Sequence, residues 1–420
     1  MSKKSPYFVI FTVGCFITGN MIGAGILGLP IKTGMAGFWP SMAGLLALSA
    51  ALFFTAVVLA KESIKRRQEI FHYPSLYHEY FGSAGKWIAT LANLMILYGL
   101  LTVYLTGSAT VITRLLNIPV PKFVILIAFF TIFTCITFLK PKLVFRLSTL
   151  FVVLLWISFI ILVVMGERYV DPSRLAYQNW KMLPAALPII IMAANFHSII
   201  PTVCKRLKWN LKHIVTAFLF GALIGFVMNV IWIQVGIGVM PLKGAGGILH
   251  ALQKSLPATV PLAKAIKSPL FLEASLMFTL TAIITSYISI GHTQIDFIED
   301  IITNHTRIPP SRALSFTLSF APPLIISIIY PDIFLGALDF VGGTGKVILF
   351  GIFPCVLAIK STRTLVRRLL VAVPALVLFC FVLIFKVGQE LGMSILKRGM
   401  NYWTHNFISH NYGPQNEPRQ

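Results

Sequence analysis

The chain has 420 residues, of which 57% are hydrophobic and only 11% charged, less than half the roughly 25% charge of a soluble domain, which excludes an ordinary soluble fold. Against 13 Asp and Glu stand 35 Lys and Arg, a formal net charge of +22, but the bases fall in short clusters between long apolar runs. They therefore imply a lipid bilayer as partner and no nucleic acid. The five cysteines are odd in number and sit in apolar stretches, so no disulfide framework is expected.

Apolar runs long enough for a hydrocarbon core of about 30 Å recur near residues 7–31, 38–60, 86–116, 122–139, 143–165, 182–204, 213–240, 269–296, 313–330, 333–359 and 366–388. They predict eleven crossings in one transmembrane domain spanning residues 1–400, and an all-α integral membrane protein, since no run shows the apolar/polar alternation of a barrel. The first run is too long for a signal peptide and is expected to be retained. With the N-terminus in the cytoplasm, the inner segments hold 20 Lys and Arg and the outer segments 14, a positive-inside bias that places the C-terminus outside. Residues 61–85 mix bases with Tyr and Phe and suit an amphipathic segment on the inner leaflet; 241–267, rich in Gly and Pro, suggests a re-entrant or lid-like loop outside, with a solvated loop the alternative for both. The polar tail 401–420 is expected to be disordered.

Two spans carry helix breakers. The first holds Gly14, Gly19, Gly23, Gly25 and Gly28 before Pro30, and glycine costs about 1 kcal/mol at a helix interior while freeing the backbone to turn. The sixth carries Pro184, Pro188 and Pro201 around the polar run Asn195, Phe196, His197 and Ser198, which offers partners to groups that proline frees. Close packing is the bland explanation for the glycines, and a satisfied polar residue that for His197. Yet these spans open two sets of five, and breaks at corresponding places in two halves point to a transport site: half-helix amides meet an anion and unwound carbonyls a cation. A zwitterionic amino acid needs both.

The string Gly19-Asn20-Met21-Ile22-Gly23-Ala24-Gly25-Ile26-Leu27-Gly28-Leu29-Pro30 resembles the first-helix signature of the hydroxy/aromatic amino acid permeases, the bacterial tryptophan and tyrosine transporter group of the amino acid/polyamine/organocation superfamily. Phe196-His197-Ser198-Ile199-Ile200-Pro201, Thr285-Ser286-Tyr287 and Leu338-Asp339-Phe340-Val341-Gly342-Gly343-Thr344-Gly345 extend the resemblance over about residues 7–388. It implies a LeuT-type 5+5 inverted repeat with discontinuous helices 1 and 6, repeat one over about 7–165, repeat two over about 182–359, and an extra helix at about 366–388. It further implies proton-coupled symport across the bacterial inner membrane by alternating access, with Asn20, Gly23, Ala24, Gly25, Asn195, Phe196, His197 and Ser198 lining the substrate site. Thr285 and Ser286 fall where related transporters place hydroxyls at a cation site. Departures lie at Asn20, where the family has small or hydroxyl residues, and at Asn195 and Ser198, where it has glycine. They leave open a smaller or more polar amino acid, with sodium coupling or exchange.

Lys346 lies inside the tenth predicted span, where an ionised lysine costs about 2.5–3.5 kcal/mol on insertion scales. It is expected either to substitute for a coupling cation or carry a proton, or to be a structural charge satisfied by Asp339 or by carbonyls. Ser289, His292 and Asp296 form a polar stripe on span eight, a proton path or a solvated helix end. No HExxH, paired Asp motif or Cys/His cluster supports a membrane enzyme, metal site or cofactor, and Gly342 to Lys346 lacks the full phosphate-loop spacing. A channel is the other alternative; saturable uptake separates it from a carrier.

Overall fold

A computed structural model describes residues 5–67, 73–117, 119–137, 141–305, 311–361 and 368–392. The predicted tail 401–420 lies outside the described residues. Among those described, nine helices are long and apolar enough to cross a membrane, and the bent pair Tyr7–Met21 and Ala24–Gly34 makes a tenth. The shorter apolar helix Lys122–Ile136 lies on the predicted run 122–139.

In chain order, α1 is Pro6–Met21, α2 Ala24–Gly34, α3 Phe38–Arg66, α4 Tyr73–Leu116, α5 Lys122–Ile136 and α6 Pro141–Glu167. A short α7, Pro172–Leu175, precedes α8, Leu183–Ala194, α9, Ile200–Arg206, and α10, Leu211–Val239. Then come α11, Ile248–Gln253, α12, Thr259–Ile266, α13, Pro269–His305, α14, Arg312–Ile329, and α15, Phe334–Phe340. A π-helical segment, Val341–Ile352, leads into α16, Phe353–Ser361, and α17, Val373–Glu390, closes the bundle. Large apolar side chains such as Leu219, Leu223, Ile160 and Ile384 cover the outer surface, as a lipid-facing wall requires.

Proline removes an amide donor from a helix and strands a carbonyl one turn earlier, a costly vacancy in a medium without water. Aromatic donors from neighbouring helices fill three such places. Trp232 Nε1 donates to Ile26 O (2.8 Å), freed by Pro30; Tyr98 Oη donates to Leu318 O (2.7 Å), freed by Pro322. In the π segment, bonds run five residues back, as from the Phe353 amide to Ile348 O; Pro354 has none to give to Leu349 O, and Tyr77 Oη donates there (2.6 Å).

The loop 241–267 is only partly solvated, with Pro241, Gly244, Lys254 and Lys267 exposed. Its α12 is largely buried, the Ala258 amide donates to Leu27 O (2.8 Å), and Ser255 Oγ accepts from the Leu335 amide (2.8 Å), so it roofs α2 and α15. The predicted inner-leaflet segment is also more deeply engaged: α3 runs to Arg66, and α4 begins with a helical stretch whose Tyr73, Leu76 and Tyr77 are buried in the bundle before a kink at Gly82.

Candidate functional site: two facing breaks

The first span breaks as its glycines predict. α1 ends at Met21, Gly23 is extended (φ −114°, ψ −153°), and α2 departs at 56° to α1. No side chain caps the start of α2, so its first-turn amides at Ala24 and Gly25 are free to meet an anion, aided by the positive end of the helix dipole. The sixth span breaks too: α8 stops at Ala194, Asn195 is extended (φ −89°, ψ 132°), and a 3₁₀ turn, His197–Ile199, precedes α9. The two breaks touch. A methyl group on Gly25 would lie 2.9 Å from Met192 C and Ala193 N, so the α2 backbone rests directly on the last turn of α8.

On the N-terminal side of these breaks, polar groups are open: Asn20, Ser198 and Ser289 are exposed, and Gly23, Thr285 and Ser286 are half-buried. A methyl on Gly23 would sit 3.5 Å from Ser286 Oγ, which places the predicted cation-site hydroxyl at the first break. Tyr104 of α4, buried, reaches Ser286 from the third side. Thr285 Oγ1 donates to Thr281 O (2.8 Å). On the far side, almost all of α2 is buried.

Of the predicted site residues, Asn195, Phe196 and His197 are buried in the bundle. The His197 ring is fully enclosed and stacks on Phe350 at 5.2 Å, while Phe196 packs edge-on against Phe218 at 5.2 Å. The Asn195 amide nitrogen is 3.0 Å from Nδ1, and Nε2 lies 2.9 Å from Thr55 Oγ1, which donates to Leu52 O (3.0 Å). An amide donor at Nδ1 leaves the ring proton on Nε2, so the chain of donors is complete with a neutral imidazole. Asn195 and His197 thus brace the break to α3, and Ser198 faces the opening.

The pairing of Lys346 with Asp339, one of the alternatives open for this lysine, is not formed. Asp339 instead pairs with Lys32 at the far end of α2, and its second carboxylate oxygen is buried with no hydrogen-bond partner among the described residues. The tenth span is also not a regular helix: the wider π turns carry Lys346. Gly342 faces Pro188 of α8 and Gly345 faces Ala92 and Ile96 of α4, and Lys346, next in the winding, is buried in the bundle. Its ammonium is within electrostatic range of His197 and has no ion pair or hydrogen bond among the described residues.

Sequence reasoning missed Tyr104, Thr55, Lys32 and Tyr73, whose hydroxyl donates to His197 O. Tyr73, Tyr77 and Tyr80 stand at helical spacing, a signal that was present but equally compatible with a membrane surface.

A bundle of membrane-crossing helices with an interrupted span at its centre defines an integral membrane protein of a transporter fold. The described chain superposes on the manganese transporter of Eremococcus coleocola, solved with an aromatic bis-isothiourea substituted compound, with a TM-score of 0.59 at 15% identity over 94% of this chain and 90% of that one. The sequence profile of the tryptophan/tyrosine permease family matches residues 8–392, and the chain belongs to that family. Relatives include the tyrosine-specific transport system 1 of Haemophilus influenzae, 27% identical over 79% of this chain and 84% of that protein. The tryptophan-specific transport protein of Shigella flexneri is 22% identical over 89% and 92%. A glutamine transporter 2 of Aliivibrio fischeri is 22% identical over 80% and 85%.

Proposed function

We propose that this chain is a secondary active carrier that imports an aromatic amino acid, tryptophan or tyrosine, with protons across a bacterial inner membrane by alternating access. Eleven crossings in a five-plus-five inverted repeat, with the N-terminus cytoplasmic and the C-terminus periplasmic, form the framework of that reading. The observation that carries it is the contact between the two breaks, Gly25 on Met192 and Ala193, which brings the uncapped start of α2 against the last turn of α8. The substrate carboxylate meets the Ala24 and Gly25 amides; its ammonium meets the carbonyls that end α1 and α8. Asn20, Gly23 and Ser198 line the approach, and Asn195, Phe196 and His197 hold the sixth-span break in shape. Thr285 and Ser286, beside the first break, supply hydroxyls to a coupling ion.

A second reading, carriage of a more polar amino acid such as glutamine with sodium coupling or exchange, draws on the polar side chains of Asn20 and Ser198 at the opening and on the Aliivibrio relative. Uptake of labelled tryptophan, tyrosine and glutamine into proteoliposomes, with an imposed proton or sodium gradient, decides between them. Saturable, proton-driven aromatic uptake is the expected result; no gradient-dependent uptake of any amino acid would sink the carrier reading.

Lys346, buried and with no ion pair or hydrogen bond among the described residues, is assigned to coupling. Removing its charge as Lys346→Met is expected to abolish gradient-driven accumulation while leaving exchange of internal for external substrate. Unchanged pH and sodium dependence in that variant rules the role out.

A further inference from the structure

The stretch 73–81 before the Gly82 kink is tied to three elements. On α3, Tyr80 Oη donates to Glu62 (2.7 Å), and Arg66 bridges Glu62 and Glu79, which fixes the stretch to a single helix. Its other two tyrosines reach the irregular backbones of the bundle. Tyr73 Oη donates to His197 O, inside the sixth-span break, and Tyr77 Oη donates to Leu349 O, inside the π segment. Their rings seat on the same π segment and its continuation, Tyr73 edge-on to Phe350 at 5.2 Å and Tyr77 edge-on to Phe353 at 4.6 Å.

We infer that residues 73–81 act as a clasp that holds the site open toward the N-terminal side, with Tyr73 and Tyr77 as positioning residues for the sixth-span break and the π segment. This rests on the alternating-access reading above. The clasp is fully made here, together with the exposed Asn20, Ser198 and Ser289. Both acceptors sit where the backbone departs from the α-helix, so a torsional change at the break moves His197 O off the Tyr73 hydroxyl. Gly82 (φ 65°, ψ −160°) separates the clasp from the long span that follows, so the two need not move together.

The test uses the full chain in nanodiscs, with the five native cysteines replaced by alanine and a reporter cysteine at Ser289. Tyr73→Phe keeps the ring packing and deletes one hydrogen bond, and Tyr77→Phe does the same at the π segment. Each is expected to lower the ratio of open to closed forms about fivefold, as a loss of one net hydrogen bond from the open state predicts, and to slow labelling of the reporter by a thiol reagent by up to that factor. In proteoliposomes, Tyr73→Phe lowers the KM for entry from the opposite side together with the maximal rate, a split that simple loss of folded protein does not produce. Unchanged labelling in both variants overturns the clasp. Labelling needs no substrate, so an absence of uptake by the unaltered chain counts against the carrier reading and leaves the clasp result standing.

Discussion

Two glycines at the same break have opposite requirements. Gly25 faces backbone atoms of Met192 and Ala193 at 2.9 Å, and backbone cannot rotate away as a side chain can. Gly23 has negative φ, and an added methyl would meet Ser286 Oγ at 3.5 Å and Asn20 O at 3.9 Å, both ordinary contacts. Gly25→Ala is therefore expected to abolish uptake, with protein still present in the membrane, while Gly23→Ala retains at least half. Equal loss in both would place the constraint in backbone freedom and not in the helix contact. A neighbouring residue tests the handling of stranded carbonyls: Trp232→Phe leaves Ile26 O without its donor in an apolar interior, at a cost of about 1–3 kcal/mol. A lowered midpoint of thermal unfolding in detergent checks this, and an unchanged midpoint refutes it.

At the scale of elements, the kink in α4 depends on one torsion. Gly82 has φ 65° and ψ −160°, a region closed to other residues, and nothing stands within 4 Å of where its methyl would be. Gly82→Ala thus meets no clash, only backbone strain of about 1–3 kcal/mol, which is expected to lower thermal stability or to straighten α4 and detach the stretch 73–81. Cross-linking between cysteines at positions 81 and 360 distinguishes the two, since the Lys360 ammonium lies 4.8 Å above the Phe81 ring in the intact arrangement. The breaks themselves were legible in the sequence because Gly23 and Asn195 act on their own backbone, whereas Pro30 and Pro188, expected to kink or unwind their spans, are carried inside α2 and α8. What could not be read was set by partners distant in sequence. Thr55 is known to meet His197 only once α3 lies beside the sixth span, and Lys32 competes for Asp339 only when α2 reaches α15. The π winding around Lys346 is likewise a packed outcome: Gly342 and Gly345 allow close approach to α8 and α4, but the glycines alone specify no winding.

Over the whole molecule, one side of the site is sealed and the other open, and the seal includes a charge pair. Lys32 at the end of α2 meets Asp339 in α15, with side chains 18% and 9% exposed, beneath the roof made by α11 and α12. Removing one partner of such a pair strands a charge and costs about 3–5 kcal/mol, whereas replacing both with apolar groups of similar size is close to neutral. Lys32→Met is accordingly expected to lower thermal stability strongly, and Lys32→Met combined with Asp339→Leu to restore most of it. Function should not follow stability. The pair joins the second half of the broken first span to the tenth, so a bundle that opens on that side must part it, and the apolar replacement leaves nothing for water to solvate as the halves separate. The double variant is expected to fold well yet transport at least tenfold more slowly. Normal transport by a stable double variant would show that the seal opens elsewhere, between α2 and α12.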